Sequence, residues 1–230
     1  MAKDIFTELT VKELFAYEEH SIAYPLLKKC DYPWEALDSI GDFIREIGKT
    51  LSKEDYIIRD GDIYISKSAE VAATASIDGP CIICEDAKIK HCAFIRGNAI
   101  VGVGATVGNS VELKNCILFD KAQVPHFNYV GDSVLGYKAH MGAGAVTSNF
   151  KSDGSSVTVR YGDERIVTGR RKLGAMLGDF AEIGCNCVLN PGTVIGSNTT
   201  VYPLSSVRGC VKKNSIYKSK DNIVEKTEKK

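Results

Sequence analysis

Residues 75–107 read ASIDGPCIICEDAKIKHCAFIRGNAIVGVGATV, and within them Ile77, Ile83, Ile89, Ile95, Val101 and Val107 recur at every sixth place. Two residues before each stands a small one: Ala75, Cys81, Ala87, Ala93, Ala99 and Ala105. A period of six matches neither the 3.6 of a helix nor the 2 of a lone strand. It marks a repeat array in which each hexad supplies one short flat face of a parallel β-helix. Outward from this stretch the ladder reaches back to Ile65 and Val71 and forward to Leu113 and Phe119, with Ile63, Ala69, Val111 and Ile117 as the preceding partners. It resumes at Leu177, Ile183, Leu189, Ile195, Val201 and Val207. The reading is an all-β chain whose parallel β-helix, of about seven coils, occupies residues 61–210.

The ladder has faults. After Phe119 the register slips by one residue at Val124, recovers at Val130, slips again at Leu135, then steps to Met141 and Thr147. Residues 148–176 leave the pattern altogether. Val157 to Val159, Tyr161-Gly162-Asp163 and Ile166-Val167 predict a hairpin within this inserted loop, followed by the basic run Arg170-Arg171-Lys172. A solenoid accommodates an insertion as an excursion loop from a corner, and such loops often carry the binding function.

The flanks have other rhythms. In residues 1–60, Thr10-x-x-Glu13 predicts a capping box opening a short helix with Leu14 and Phe15. Pro33 opens a second helix with Leu37, Ile40, Phe43, Ile44 and Ile47 on one face and Gly48 at its end. The segment reads as a small helical N-terminal cap over the first coil, whose open end would expose strand edges. Residues 211–230 read as a basic C-terminal tail, disordered beyond Lys220.

Lysine plus arginine and aspartate plus glutamate both number 29, so no net field argues for nucleic acid or an anionic membrane. Basic residues at Arg170-Arg171-Lys172 and Lys212-Lys213 lack aromatic interleaving, which further argues against nucleic acid. No apolar run approaches the ~20 residues of a membrane span, and no export signal is visible. The 8 cysteines show no zinc-ribbon spacing. Cys81 and Cys187 take the small inward position of the ladder, as compact apolar fillers. Reduced thiols and the missing export signal predict a cytoplasmic protein.

Chemistry is expected where the register breaks. His126 follows a slip and a proline that fixes the chain direction, and imidazole exchanges a proton near neutral pH. Around it lie Pro125-His-x-x-Tyr129-x-Gly-Asp132, the block Gly142-Ala-Gly144, and Thr168-Gly-Arg-Arg-Lys172-Leu-Gly174. Together these resemble the acetyltransferase domain of the bifunctional UDP-N-acetylglucosamine pyrophosphorylase/glucosamine-1-phosphate N-acetyltransferase family. They resemble more closely the C-terminal domain of archaeal sugar-1-phosphate nucleotidylyltransferases. The resemblance covers roughly residues 90–205.

It implies a left-handed parallel β-helix, a homotrimer with sites between subunits, and N-acetylation of an amino-sugar 1-phosphate by acetyl-CoA, with no metal required. By the same resemblance His126 is the base, and Arg96, Lys114, Tyr129 and Lys172 hold the sugar phosphate. Asn149 contacts the sugar, Ala143 lies in the block that meets the thioester, and Cys185 meets the pantetheine arm. The residue types suit the chemistry. A phosphomonoester calls for several cationic donors, and thioester attack builds an oxyanion best met by a fixed backbone N–H.

Two departures bear on the acceptor. His140 stands where the bacterial pattern has asparagine, and Phe150 where it has tyrosine, so glucosamine and galactosamine 1-phosphate are both candidates and His140 joins the substrate-binding set. The glycine-rich nucleotidylyltransferase signature is absent, so a pyrophosphorylase name would describe a relative. Rival readings are a non-catalytic trimer that binds sugar phosphates or sugar nucleotides, and an acyltransferase acting on a nucleotide-linked amino sugar. The γ-class carbonic anhydrases share the fold and hold zinc with three histidines, which makes His91, His126 and His140 worth locating.

Overall fold

A computed structural model describes residues 6–227. The chain winds as a left-handed parallel β-helix of three walls and about 9 turns, more than the seven coils expected, with the winding continuing past residue 210. The first wall stacks Ile63–Ser66, Cys81–Ile83, Ala99–Val101, the far halves of Glu112–Leu118 and Tyr129–Leu135, then Ala175–Leu177, Thr193–Ile195 and Cys210–Val211. The second runs from Glu70–Val71 through Gln123–His126, His140–Met141 and Glu182–Ile183 to Ser215–Ser219. The third runs from Ser76–Asp78 and Phe94–Arg96, through the near halves of the two long strands, to Val146–Thr147, Val188–Leu189 and Ser206–Val207. The ladder residues form the interior: Ile83, Ile89, Ile95, Val101, Val107 and Leu113 are fully buried in one apolar column.

The register differs from the sequence reading at one rung. Val101 pairs with Leu118, not Phe119, and Cys116 rather than Ile117 faces the core. The slip therefore falls one rung earlier than expected. Its cause is a shortened corner between the third and first walls. Gly97 and Asn98 turn this corner in one coil, but Asn115 alone turns it in the next, and Asp132 alone in the one after, both with left-handed φ (51° and 48°). The following coil leaves the same corner as the excursion loop after Val146–Thr147 and returns at Ala175–Leu177. Both slips and the insertion thus stack on one corner.

The outer face of the first wall carries Tyr64, Ile82, Ile100, Ile117, Val134, Met176 and Val194, all buried. A water-facing wall would be polar here, and this apolar stripe requires a cover. The N-terminal segment supplies it, with helices Val11–Leu14, Tyr24–Leu27 and Ile40–Gly48, the last entered through the 3-10 turn Pro33–Ser39. The segment lies along the wall and does not sit over the first coil as expected. Phe119, turned outward, stacks on Phe15 with ring centroids 4.9 Å apart. The expected capping box at Thr10 is not formed: its Oγ1 donates to Thr7 O at 2.8 Å. Glu35 instead accepts from the backbone N–H groups of Asp31 and Tyr32.

Antiparallel strands cover both ends. Tyr56–Arg59 pairs with Ile63–Ser66, and Asn222–Glu225 folds back on Ser215–Ser219. The expected disordered tail is corrected as far as residue 227. Tyr217 is buried in the core column, and pairing satisfies backbone groups that an open edge would leave exposed. Among the described residues no helix is long and apolar enough to cross a membrane.

Candidate active site

Arg96, Lys114, Tyr129, Asn149, Phe150 and Lys172 line one open cavity of about 380 Å³. Strand alternation places the first three. Glu112 pairs with both Phe94 and Tyr129, so the outward positions of the third wall bring Arg96 and Lys114 to its edge. The excursion loop returns across this edge through a bridge between Phe150 and Lys172, with Leu173 N donating to Asn149 O at 2.9 Å. Gly131 supplies room: a Cβ there would stand 2.4 Å from Tyr129 Oη and 2.8 Å from Asn149 Nδ2.

One carboxylate organises the floor. Asp132, buried at its corner, accepts from Lys114 Nζ at 3.2 Å, Asn115 Nδ2 at 2.9 Å and Asn149 Nδ2 at 2.6 Å. Asn149 also donates to Tyr129 Oη at 3.1 Å. Burial, more than the nearby carboxylates, raises the Tyr129 phenol above its ordinary value, so it stays a neutral hydroxyl. Arg96 pairs with Glu112 at 2.5 Å, and that hydrogen bond holds its guanidinium above its ordinary value. On the other side of Lys114 and Lys172 a second cavity, of about 440 Å³, is lined by Leu37, Asp38, Asn98, Asn115 and Gly169 to Arg171.

His126 stands at a different corner, between the second and third walls, with an exposed side chain. Successive coils are tied there by Gly144 N to His126 O (3.0 Å), Asn186 N to Ala143 O (2.8 Å) and Leu204 N to Cys185 O (2.9 Å). His126, Ala143 and Cys185 therefore form one column. Asn128 fixes its base, with Oδ1 accepting from His126 N and Nδ2 donating to Gly142 O and Ala145 O.

The expected residues thus fall into two groups, five in the cavity and three in the corner column. His140 joins neither within the chain. It projects from the second wall, where Nδ1 lies 2.9 Å from Glu182 Oε2 beside Lys121, Lys138 and Phe180. His91 bonds Thr74 Oγ1 at 2.7 Å, and among the described residues no three His, Cys, Asp or Glu side chains gather to hold a metal. The sequence reading assigned no role to Asn115, Asn128 or Asp132. The first and last were signalled by the slips themselves, as lone polar residues where a longer corner was due.

A family model described as the GMPPB C-terminal domain matches residues 77–173. The bifunctional protein GlmU of Methanococcus aeolicus is 30% identical over 200 residues, covering 86% of this chain and 48% of the relative. The bifunctional sugar-1-phosphate nucleotidylyltransferase/acetyltransferase of Sulfurisphaera tokodaii is 32% identical over 168 residues, covering 73% and 41%. YaiX of Escherichia coli (strain K12), described only as an uncharacterized acetyltransferase, is 32% identical over 158 residues, covering 67% of this chain and 69% of YaiX. The chain belongs to the hexapeptide-repeat acetyltransferase family. It spans about half the length of the two bifunctional relatives. In this hexapeptide-repeat acetyltransferase the matched domain takes in the cavity and its loop up to Leu173, together with His126 and Ala143, but stops short of Cys185.

Proposed function

We propose that the chain transfers the acetyl group of acetyl-CoA to the amine of a hexosamine 1-phosphate, glucosamine or galactosamine. The observation that carries this reading is the convergence of Arg96, Lys114 and Lys172 with Tyr129 and Asn149 on one cavity. Three cations suit a phosphomonoester, and the neutral phenol and amide suit sugar hydroxyls. The Sulfurisphaera relative is named as both a sugar-1-phosphate nucleotidylyltransferase and an acetyltransferase, which supports a sugar phosphate as acceptor.

In the proposed reaction His126 takes a proton from the neutral sugar amine as its nitrogen attacks the thioester carbonyl. The tetrahedral oxyanion is met by a backbone N–H of the Ala143 block. Collapse breaks the C–S bond, and the departing CoA thiolate takes a proton from the imidazolium. The pantetheine arm runs along the column towards Cys185. In one chain the column and the cavity stand at different corners, so a homotrimer completes the site by facing one subunit's cavity with its neighbour's column.

A thiol-release assay with acetyl-CoA against a panel of amino-sugar 1-phosphates tests this, with His126→Ala as control. Turnover on no member, or turnover untouched by the substitution, rejects it. The room beyond Lys114 and Lys172 favours one second reading, a nucleotide-linked amino sugar as acceptor. Turnover on nucleotide-linked sugars but not on 1-phosphates selects that.

A further inference from the structure

The three basic residues that end the excursion loop do not behave alike. Arg171 turns towards the cavity, its guanidinium 6.0 Å from the Phe150 ring centroid. Lys172 reaches the cavity as well, and among the described residues its ammonium forms no ion pair. Arg170 turns inward, with a side chain only 12% exposed. Its Nη1 lies 2.6 Å from Asp38 Oδ2 and its Nε donates to Lys172 O at 3.3 Å. One guanidinium therefore ties a carboxylate of the N-terminal segment to the backbone of a cavity lysine.

The tie runs from a nearly buried guanidinium to a carboxylate that is 81% exposed, and the chain on either side is held in place. Asp38 follows Leu37, which is buried in the same apolar cluster as Trp34 and as Val157, Val159, Ile166 and Leu173 of the loop and its hairpin. Arg170 is fixed by its own backbone, with Val157 N donating to Arg170 O at 2.7 Å and Arg170 N donating to Thr168 Oγ1 at 3.2 Å. A guanidinium withdrawn from water without acceptors is costly. Without the Asp38 carboxylate, Arg170 loses its ion-pair partner among the described residues and keeps only the long bond to Lys172 O, which is weakened with it. Leu37 and Asp38 also form one bank of the second cavity, whose opposite bank is Gly169 to Lys172.

We infer that Asp38, acting through Arg170, is a positioning residue that sets Lys172 over the acceptor's phosphate. The N-terminal segment thereby controls acceptor affinity while contributing no reacting group. This rests on the proposed acceptor class for its kinetic readout, but not for its binding readout.

The test compares wild type with Asp38→Asn, Asp38→Glu and Arg170→Gln. The measurements are KM for the hexosamine 1-phosphate, KM for acetyl-CoA, affinity for inorganic phosphate by titration calorimetry, hydrogen exchange of residues 168–174, and Tm. The expected result for Asp38→Asn and Arg170→Gln is an acceptor KM raised about tenfold, as for loss of one charge-assisted contact. Phosphate affinity falls in parallel, exchange at 168–174 quickens, and Tm and the acetyl-CoA KM stay in place. Asp38→Glu, which keeps the carboxylate, recovers most of the loss. Unchanged acceptor KM and phosphate affinity in Asp38→Asn overturn the inference, as does a common rise in both KM values with a lowered Tm. If wild type turns over no acceptor, the proposed function fails, while phosphate affinity and exchange still decide this point.

Discussion

Asp132 holds Lys114 at 3.2 Å and Asn149 at 2.6 Å through the same carboxylate oxygen. Two cavity residues, one from the coil on each side of Asp132, are thus aimed by one buried charge. Asp132→Asn keeps the volume but puts an amide donor against donors. We expect the acceptor KM to rise about 10- to 100-fold, the range for losing a hydrogen bond to a charged group, with acetyl-CoA KM unchanged. Steady-state kinetics with each substrate varied in turn check this.

His126→Ala removes the proposed base and should lower kcat by about 10²- to 10⁴-fold. Asn128→Ala leaves the imidazole but strips the donors to Gly142 O and Ala145 O, both in a buried corner. It should cost about 1–3 kcal/mol of stability and a smaller part of kcat. Denaturant melts beside single-turnover rates separate the two effects, and equal kcat losses would count against His126 as base.

Phe119 belongs to the contact between wall and helices, not to the interior. Phe119→Ala should cost about 3–5 kcal/mol, and the damage should be local. Limited proteolysis is expected to cut within residues 6–50 before the coils, because the core column ends at Leu118 on that rung. Leu118→Ala, by contrast, should loosen the coils themselves.

Asp179 adds a pH dependence. It accepts from Tyr17 N and Tyr137 N, joining the N-terminal segment to the β-helix, and burial pushes its carboxyl up to about 6 from 3.8. The folded protein therefore holds this proton more tightly than the unfolded chain does. Its contribution is full below about pH 4 and is lost as pH rises through 6, on the order of 3 kcal/mol in all. Asp179→Asn, permanently neutral, lacks the effect. The stability of wild type relative to Asp179→Asn should fall between pH 4 and 7 in urea titrations. A flat difference would remove the proposed linkage.

The period of six exposed the walls, and the departures from it marked the corner where five cavity residues meet. At the rung of Phe119 the residues Ile117, Leu118 and Phe119 are all apolar, so hydrophobicity alone cannot say which of them faces inward. The missing corner residue decides it, and that shows only once strands are paired. The stripe from Ile82 to Val194 was present in the sequence but lay outside the six-residue comparison, since it repeats once per coil. The tail was hidden by its polar composition: Lys218 is exposed on a strand whose Ser215 and Tyr217 pack, and Asn222–Glu225 is held by backbone pairing although all four residues are exposed. His126 and the cavity share a family pattern yet not a corner, and spacing along the chain does not reveal which side chains a corner brings together.

The corner that hosts both slips and the insertion is distinct from the corner that hosts His126, Ala143 and Cys185. Length can therefore change at one edge of the solenoid while the other keeps its stacking, because each coil is hydrogen-bonded only to its neighbours. On the proposed function, acceptor choice and acyl delivery are separable modules. Exchanging residues 148–174 between relatives is then expected to change the acceptor while the other corner keeps its stacking.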